Sequence, residues 1–139
     1  MTLAVGESVE SPSPEAEGAL VDSELWVTVC TLEDIVPDTG VCALVAGQQI
    51  ALVRVGDGDL VFALGNFDPF SKAFVLARGI VGDRAGVPKI ASPIYKQSFD
   101  LRTGVCLDDP KVAVPVWPVR VRDGQVQVQG TPSLPQEPA

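Results

Sequence analysis

What most restricts the fold of this chain is a succession of short apolar, β-branched runs, each closed by a turn signal. Trp26-Val27-Thr28-Val29-Cys30 opens the series with aromatic and β-branched residues. Val41 to Val45 and Ile50 to Val55 follow as two apolar runs joined by Ala46-Gly47-Gln48-Gln49, which predicts a hairpin. Gly56-Asp57-Gly58-Asp59 then returns the chain into Leu60-Val61-Phe62-Ala63-Leu64. Toward the end, Val116 to Val121 and Gln125 to Val128 flank Arg122-Asp123-Gly124, and Asp-Gly between alternating apolar residues is a hairpin signal. Val126 and Val128 alternate with Gln125, Gln127 and Gln129, the period of a half-buried strand. Helical periodicity is weak throughout. Thr31-Leu32-Glu33-Asp34-Ile35 predicts one short helical turn, N-capped by Thr31 and stopped by Pro37. Turns roughly every 8 to 12 residues predict an all-β antiparallel sandwich or barrel.

Composition sets limits on function. The 139 residues are 46% hydrophobic, enough for a core, and carry 10 Lys+Arg against 18 Asp+Glu. A formal charge of -8 argues against nucleic acid as a partner, since phosphate binding needs a basic surface. No apolar run nears the roughly 18 residues needed to span a bilayer. The chain begins Met1-Thr2-Leu3-Ala4 and soon turns acidic, without the basic and apolar regions of a signal peptide, so a cytoplasmic location is expected. Cys30, Cys42 and Cys106 stand far apart in no Cys-x-x-Cys spacing and read as buried free thiols. Histidine is absent altogether. This removes the commonest general acid/base, the commonest imidazole ligand and every Ser-His or Cys-His dyad.

Three segments are expected. Residues 1–24 hold six acids, Glu7, Glu10, Glu15, Glu17, Asp22 and Glu24, without one basic residue, and include Ser11-Pro12-Ser13-Pro14, which predicts a disordered acidic tail. Residues 25–129 form the folded domain, and 130–139, with Pro132, Pro135 and Pro138, read as a Pro-rich C-terminal tail.

Between Gly65 and Pro110 the alternation stops. Asn66-Phe67-Asp68-Pro69-Phe70-Ser71-Lys72 is turn chemistry, Ala77 to Gly86 carries three glycines, and Ser92-Pro93-Ile94-Tyr95-Lys96 makes a further irregular point. Phe99-Asp100-Leu101, Arg102-Thr103-Gly104 and Val105-Cys106-Leu107 predict a tight hairpin. This order resembles the Rieske iron–sulfur domain, in which one loop carries Cys-x-His, the other Cys-x-x-His, and the two pinch a [2Fe–2S] cluster. On that resemblance, Asp68 and Ser92 stand where the cysteines would be, and Phe70 and Tyr95 where the histidines would be. Leu76 and Gly79 match the step after the first loop; Phe99, Asp100, Leu101, Thr103 and Gly104 match the tail. The resemblance implies a Rieske-like sandwich with a loop-rich cluster-end subdomain that has lost its metal site. Phe70 offers no lone pair, and neutral Ser92 and Tyr95 are hard oxygen groups ill suited to a cluster, so no metal or cofactor is expected in this chain.

The same fragments, with Gly104-x-Cys106-Leu107-Asp108-Asp109-Pro110, resemble the NirD family over residues 25–129: the small subunits of cytoplasmic NAD(P)H-dependent nitrite reductase. The resemblance implies a large-subunit partner that holds siroheme, a [4Fe–4S] cluster, FAD and the NAD(P)H site, and reduces nitrite to ammonium in a six-electron reaction. It implies an accessory role without catalytic residues here. Ser71 to Arg102 carries six basic residues against Asp83 and Asp100, a balance of +4. Lys72, Arg78, Arg84 and Lys96 are the docking candidates, on a face that meets an acidic patch of the partner. The bland reading of those charges is an ordinary solvated loop. Asp68 before proline reads as a turn former, and Phe70 and Tyr95 are expected to pack on each other in the space the cluster vacated. Two rival readings are an electron carrier that holds a cluster through unusual ligands, and a ferredoxin-like accessory module of another oxidoreductase.

Overall fold

Ile50-Ala51-Leu52-Val53 has no polar face, the pattern of a strand buried on both sides, and it lies at the centre of the molecule. The structure is a computed structural model that describes residues 2–4 and 26–130. Its main sheet orders β1 (Thr2–Ala4), β3 (Thr39–Val45), β4 (Gln48–Arg54), β5 (Val61–Gly65) and β11 (Val116–Trp117). All neighbours are antiparallel except β1 with β3. Ile50 and Leu52 of β4 point into one core with Val41, Ala43, Ala63 and Trp117; Ala51 and Val53 point into a second with Leu64, Leu76 and Phe99. Alternation along one strand thus supplies two cores at once.

The first core is closed by a sheet ordered β12 (Val119–Arg122), β13 (Gln125–Gln129) and β2 (Trp26–Thr31), whose Val29, Val126 and Val128 are buried against it. The second is closed by a smaller antiparallel sheet, β10 (Ser98–Asp100), β9 (Val87–Ala91) and β8 (Ile80–Arg84), and by a 3-10 turn at Leu76–Arg78. The all-β sandwich with a loop-rich end subdomain is the architecture expected from sequence. The helical turn expected after Thr31 is a 3-10 turn, Leu32–Asp34, in which the Asp34 carboxylate accepts the Thr31 N–H at 2.9 Å.

Three details differ from the sequence reading. The run Val116 to Val121 is two strands in different sheets, split at Pro118, which has no N–H to give a ladder. Ala77 to Gly86, read as irregular, contains β8 and the whole of a two-residue turn; Ala85 and Gly86 have φ of 54° and 87°, the signs of a hairpin turn matched to strand twist. Thr2–Ala4, inside the stretch read as an acidic tail, pairs in parallel with Cys42–Leu44. The other residues of both tail readings, apart from Gly130, lie outside the described residues.

Candidate functional site

Two loops of the same build face each other at the end of the domain. The first, 68–72, reads Asp-Pro-Phe-Ser-Lys; the second, 92–96, reads Ser-Pro-Ile-Tyr-Lys. In each, the opening side-chain oxygen accepts the amide two residues on: Asp68 Oδ1 from Phe70 N–H at 2.9 Å, and Ser92 Oγ from Ile94 N–H at 3.2 Å. In each, the lysine N–H closes the loop on the opening carbonyl, Lys72 on Asp68 at 2.7 Å and Lys96 on Ser92 at 3.1 Å. Both lysines take the left-handed backbone, φ 62° and 67°, which an L side chain tolerates only under constraint. The first loop is carried by the short ribbon β6 (Phe67–Asp68) and β7 (Ala73–Phe74); the second leaves the end of β9. Gly79 sets their distance from the scaffold. A Cβ there would collide with the Ala91 carbonyl oxygen, so only glycine lets the segment after the first loop press on the strand entering the second.

The two loops are locked together at their opening residues. Ser92 donates its hydroxyl to Asp68 Oδ2 at 2.6 Å, and Ser71 donates to the same oxygen at 2.8 Å. Asp68 and Ser92 are 0% and 1% exposed. Burial alone would push the Asp68 carboxyl up, but the bonds from Ser92, Phe70 and Ser71 outweigh it and hold the carboxyl below the usual range. The turn-former reading of Asp68 holds, and Asp68 also bridges to the second loop. The Phe70 ring lies 6.2 Å from that of Phe99, at 52°, and packs against the second core. The expected packing of Phe70 on Tyr95 is not found. Tyr95 is 60% exposed and makes no ring contact among the described residues. Phe99, brought in by β10, takes that place beside Phe70.

The basic residues divide into two groups. Arg84 is paired with Asp108 at 3.2 Å, Arg102 holds Asp100 through two bonds of 3.1 Å, and Lys89 donates to Ser98 Oγ at 3.2 Å. Lys72, Arg78 and Lys96 are exposed and enter no ion pair among the described residues. Around them lie apolar side chains that sequence reasoning did not single out: Phe74, 55% exposed and 5.0 Å ring-to-ring from Phe67, and Ile94, 45% exposed. No periodic signal marks these residues, because they sit on a two-residue strand and a loop. Arg78 and Phe74 border one small cavity of about 90 Å³, so the arginine belongs to the same end as the first loop.

The arrangement gives no seat for a metal cluster. The two cysteine positions hold a carboxylate and a hydroxyl bonded to each other, and the histidine positions hold a ring without donor atoms and an exposed phenol. No group of three or more Cys, Asp or Glu side chains placed for a metal occurs among the described residues. The thiols stand elsewhere: burial and then Asp34 push Cys30 up to about 11, and burial pushes Cys106 up as well.

Sandwich, end subdomain and paired loops together define a Rieske-like domain without the Rieske ligands, and residues 25–129 match the family of Rieske-like [2Fe-2S] domains. Within it, the chain is 45% identical over 105 residues to the nitrite reductase (NADH) small subunit of Salmonella typhimurium, covering 76% of this chain and 97% of that one. The NMR structure of the Escherichia coli protein NirD superposes with a TM-score of 0.71 at 42% identity, over 76% of this chain and 96% of that one. Over 106 residues, 76% of its length, this chain is also 44% identical to a segment making up 11% of the nitrite reductase [NAD(P)H] large subunit of Klebsiella oxytoca. The chain belongs to the nitrite reductase small-subunit family. Among the described residues, no helix is long and apolar enough to cross a membrane.

Proposed function

We propose that this chain is the accessory subunit of a cytoplasmic NAD(P)H nitrite reductase and docks on the large subunit through the paired-loop end. The observation that carries this reading is the recurrence of the domain inside a large-subunit chain, at 44% identity. A domain that is a separate chain in one organism and a covalent part of its partner in another works beside that partner. The large subunit supplies siroheme, the [4Fe–4S] cluster, FAD and the NAD(P)H site for six-electron reduction of nitrite to ammonium. This chain contributes no reacting group.

Its own residues support a docking role. The buried Asp68–Ser92 bond fixes two loops whose exposed tips offer Lys72, Lys96, Ile94 and Tyr95, with Arg78 and Phe74 beside them. Exposed aromatic and aliphatic side chains among unpaired cations are the composition of an interface that meets an acidic rim. Arg84, tied to Asp108, is the weakest of the four docking candidates. Binding of the purified large subunit to wild type and to Lys72→Glu, Arg78→Glu, Lys96→Glu and Arg84→Glu variants tests the face. The first three should lose affinity and Arg84→Glu should lose less; equal affinities across the set would move the docking face elsewhere.

A further inference from the structure

Asn66 follows β5 and is 3% exposed, yet its side chain bonds to neither of the paired loops. Its Oδ1 accepts the Ala77 N–H at 2.7 Å, so its Nδ2 faces the other way and donates to Gln49 Oε1 at 3.1 Å and to Cys42 Sγ at 3.5 Å. That orientation fixes a second amide. Gln49 turns its oxygen toward Asn66, and its Nε2 makes no bond among the described residues. Ala77 precedes Arg78, whose exposed guanidinium likewise makes no bond among the described residues. One buried asparagine thus seats two donors, Gln49 Nε2 and the Arg78 guanidinium, on the cavity of about 90 Å³.

That cavity shares Gln49, Asn66 and Phe74 with a groove of about 430 Å³, whose walls include Leu44, Phe67 and Pro115. Leu44, Phe67 and Phe74 are all exposed, an apolar surface that a lone domain has little reason to show. No Asp or Glu borders the groove or the cavity, and Arg78 is the one charged side chain on either. The trough therefore has an apolar length and a cationic, donor-bearing end. A ligand with an apolar side chain next to a carboxylate satisfies both. Guanidinium and amide N–H groups match carboxylate oxygens, and an aromatic or aliphatic group fills the groove. A basic segment would meet Arg78 as a like charge.

We propose that this trough receives a segment of the large subunit in which an aromatic or aliphatic residue stands beside a carboxylate, and that Arg78 and Gln49 hold the carboxylate. The assignment rests on the docking reading above and narrows it. Arg78 and Phe74 already belong to that face; Gln49 and Leu44 carry it past the first loop.

Gln49→Glu is the discriminating variant, because it keeps an oxygen for Asn66 and Cys42 and exchanges only the outward donor for an acceptor. Its affinity for the purified large subunit should fall roughly tenfold. If it binds like wild type while Lys72→Glu and Lys96→Glu lose affinity, the trough proposal is overturned and the docking reading stands. If all three bind like wild type, both are overturned. A second measurement uses the wild-type full chain without the large subunit: NMR titration with N-acetylphenylalanine and with its amide, which lacks the carboxylate. The acid should shift the Gln49 side-chain amide, the Arg78 Nε–H and the backbone amides of Leu44 and Phe74; the amide should leave the Gln49 and Arg78 signals in place. An equal response to the two compounds, no response to either, or shifts confined to Leu60, Phe62 and Arg102 around a different cavity would overturn the proposal.

Discussion

If the Asp68–Ser92 bond takes over the task of a lost cluster and holds the two loops at one spacing, its removal has a calculable cost. Ser92→Ala deletes one hydroxyl donated to a buried carboxylate at 2.6 Å, a charge-assisted bond of about 1.5–3 kcal/mol, and frees the Ile94 amide. Asp68→Ala strips the acceptor from Ser92, Ser71 and Phe70 at once. The Ser71 hydroxyl can turn to water; the Ser92 hydroxyl and the Phe70 amide cannot do so freely, at about 1–3 kcal/mol each. Part of that loss is offset because a charge is no longer buried, which leaves a net destabilisation of about 3 kcal/mol. The double variant has neither partner, so its loss should fall short of the sum by about 1.5–3 kcal/mol. Urea unfolding of wild type, the two single variants and the double variant measures this directly. Additivity within about 0.5 kcal/mol would refute the reasoning, because independent sites behave that way.

Other outcomes follow from the same geometry. Because the Asp68 carboxyl is held below its ordinary value of 3.8 in the folded chain, its contribution is fully present above that value and is lost as pH falls from there through the lower folded-state value. Asp68→Asn should therefore flatten the fall in stability below about pH 4, and an unchanged acid limb in pH-dependent unfolding would contradict the assignment. Lys72→Gly and Lys96→Gly remove side chains from left-handed backbone, so each variant should be as stable as wild type or up to about 1 kcal/mol more stable while binding the large subunit less well. A stability loss above about 1 kcal/mol would show that these lysines are structural. Reversing Lys72, Arg78 or Lys96 should weaken association roughly fivefold each at low salt, with the loss shrinking as salt is raised; calorimetry across a salt series reads both. Gly79→Ala should destabilise by several kcal/mol or prevent folding, since its Cβ would collide with the Ala91 backbone; a neutral thermal shift would contradict the close packing.

Much of this was legible in the sequence because turn chemistry is local. Ala46-Gly47 and Asp123-Gly124 adopt paired positive φ values, and the flanking runs pair as their alternation predicts. The loop residues Asp68 and Ser92 could be found because Asp-Pro and Ser-Pro interrupt the strand pattern, and the shared spacing from each proline to its lysine already spells two equal loops. The β8–β9 hairpin escaped notice because Gly82, Gly86 and Pro88 erase the alternation and β8 is mostly exposed. The neighbour of Phe70 was also beyond reach. Phe99 comes from a strand 29 positions later, and which distant side chain closes a gap is decided by packing of the whole subdomain. The separation of the basic residues into paired and unpaired sets needed coordinates, since Asp108 meets Arg84 across the small sheet.

The accessory role is tested most directly by the rate of NAD(P)H-dependent nitrite reduction by the purified large subunit, measured with and without this chain. A clear rise in rate or in lifetime of the large subunit on addition, lost in the Lys72→Glu/Lys96→Glu variant, is the predicted result. A rate and a stability both indifferent to the chain would contradict the role and leave the Rieske-like domain without its partner.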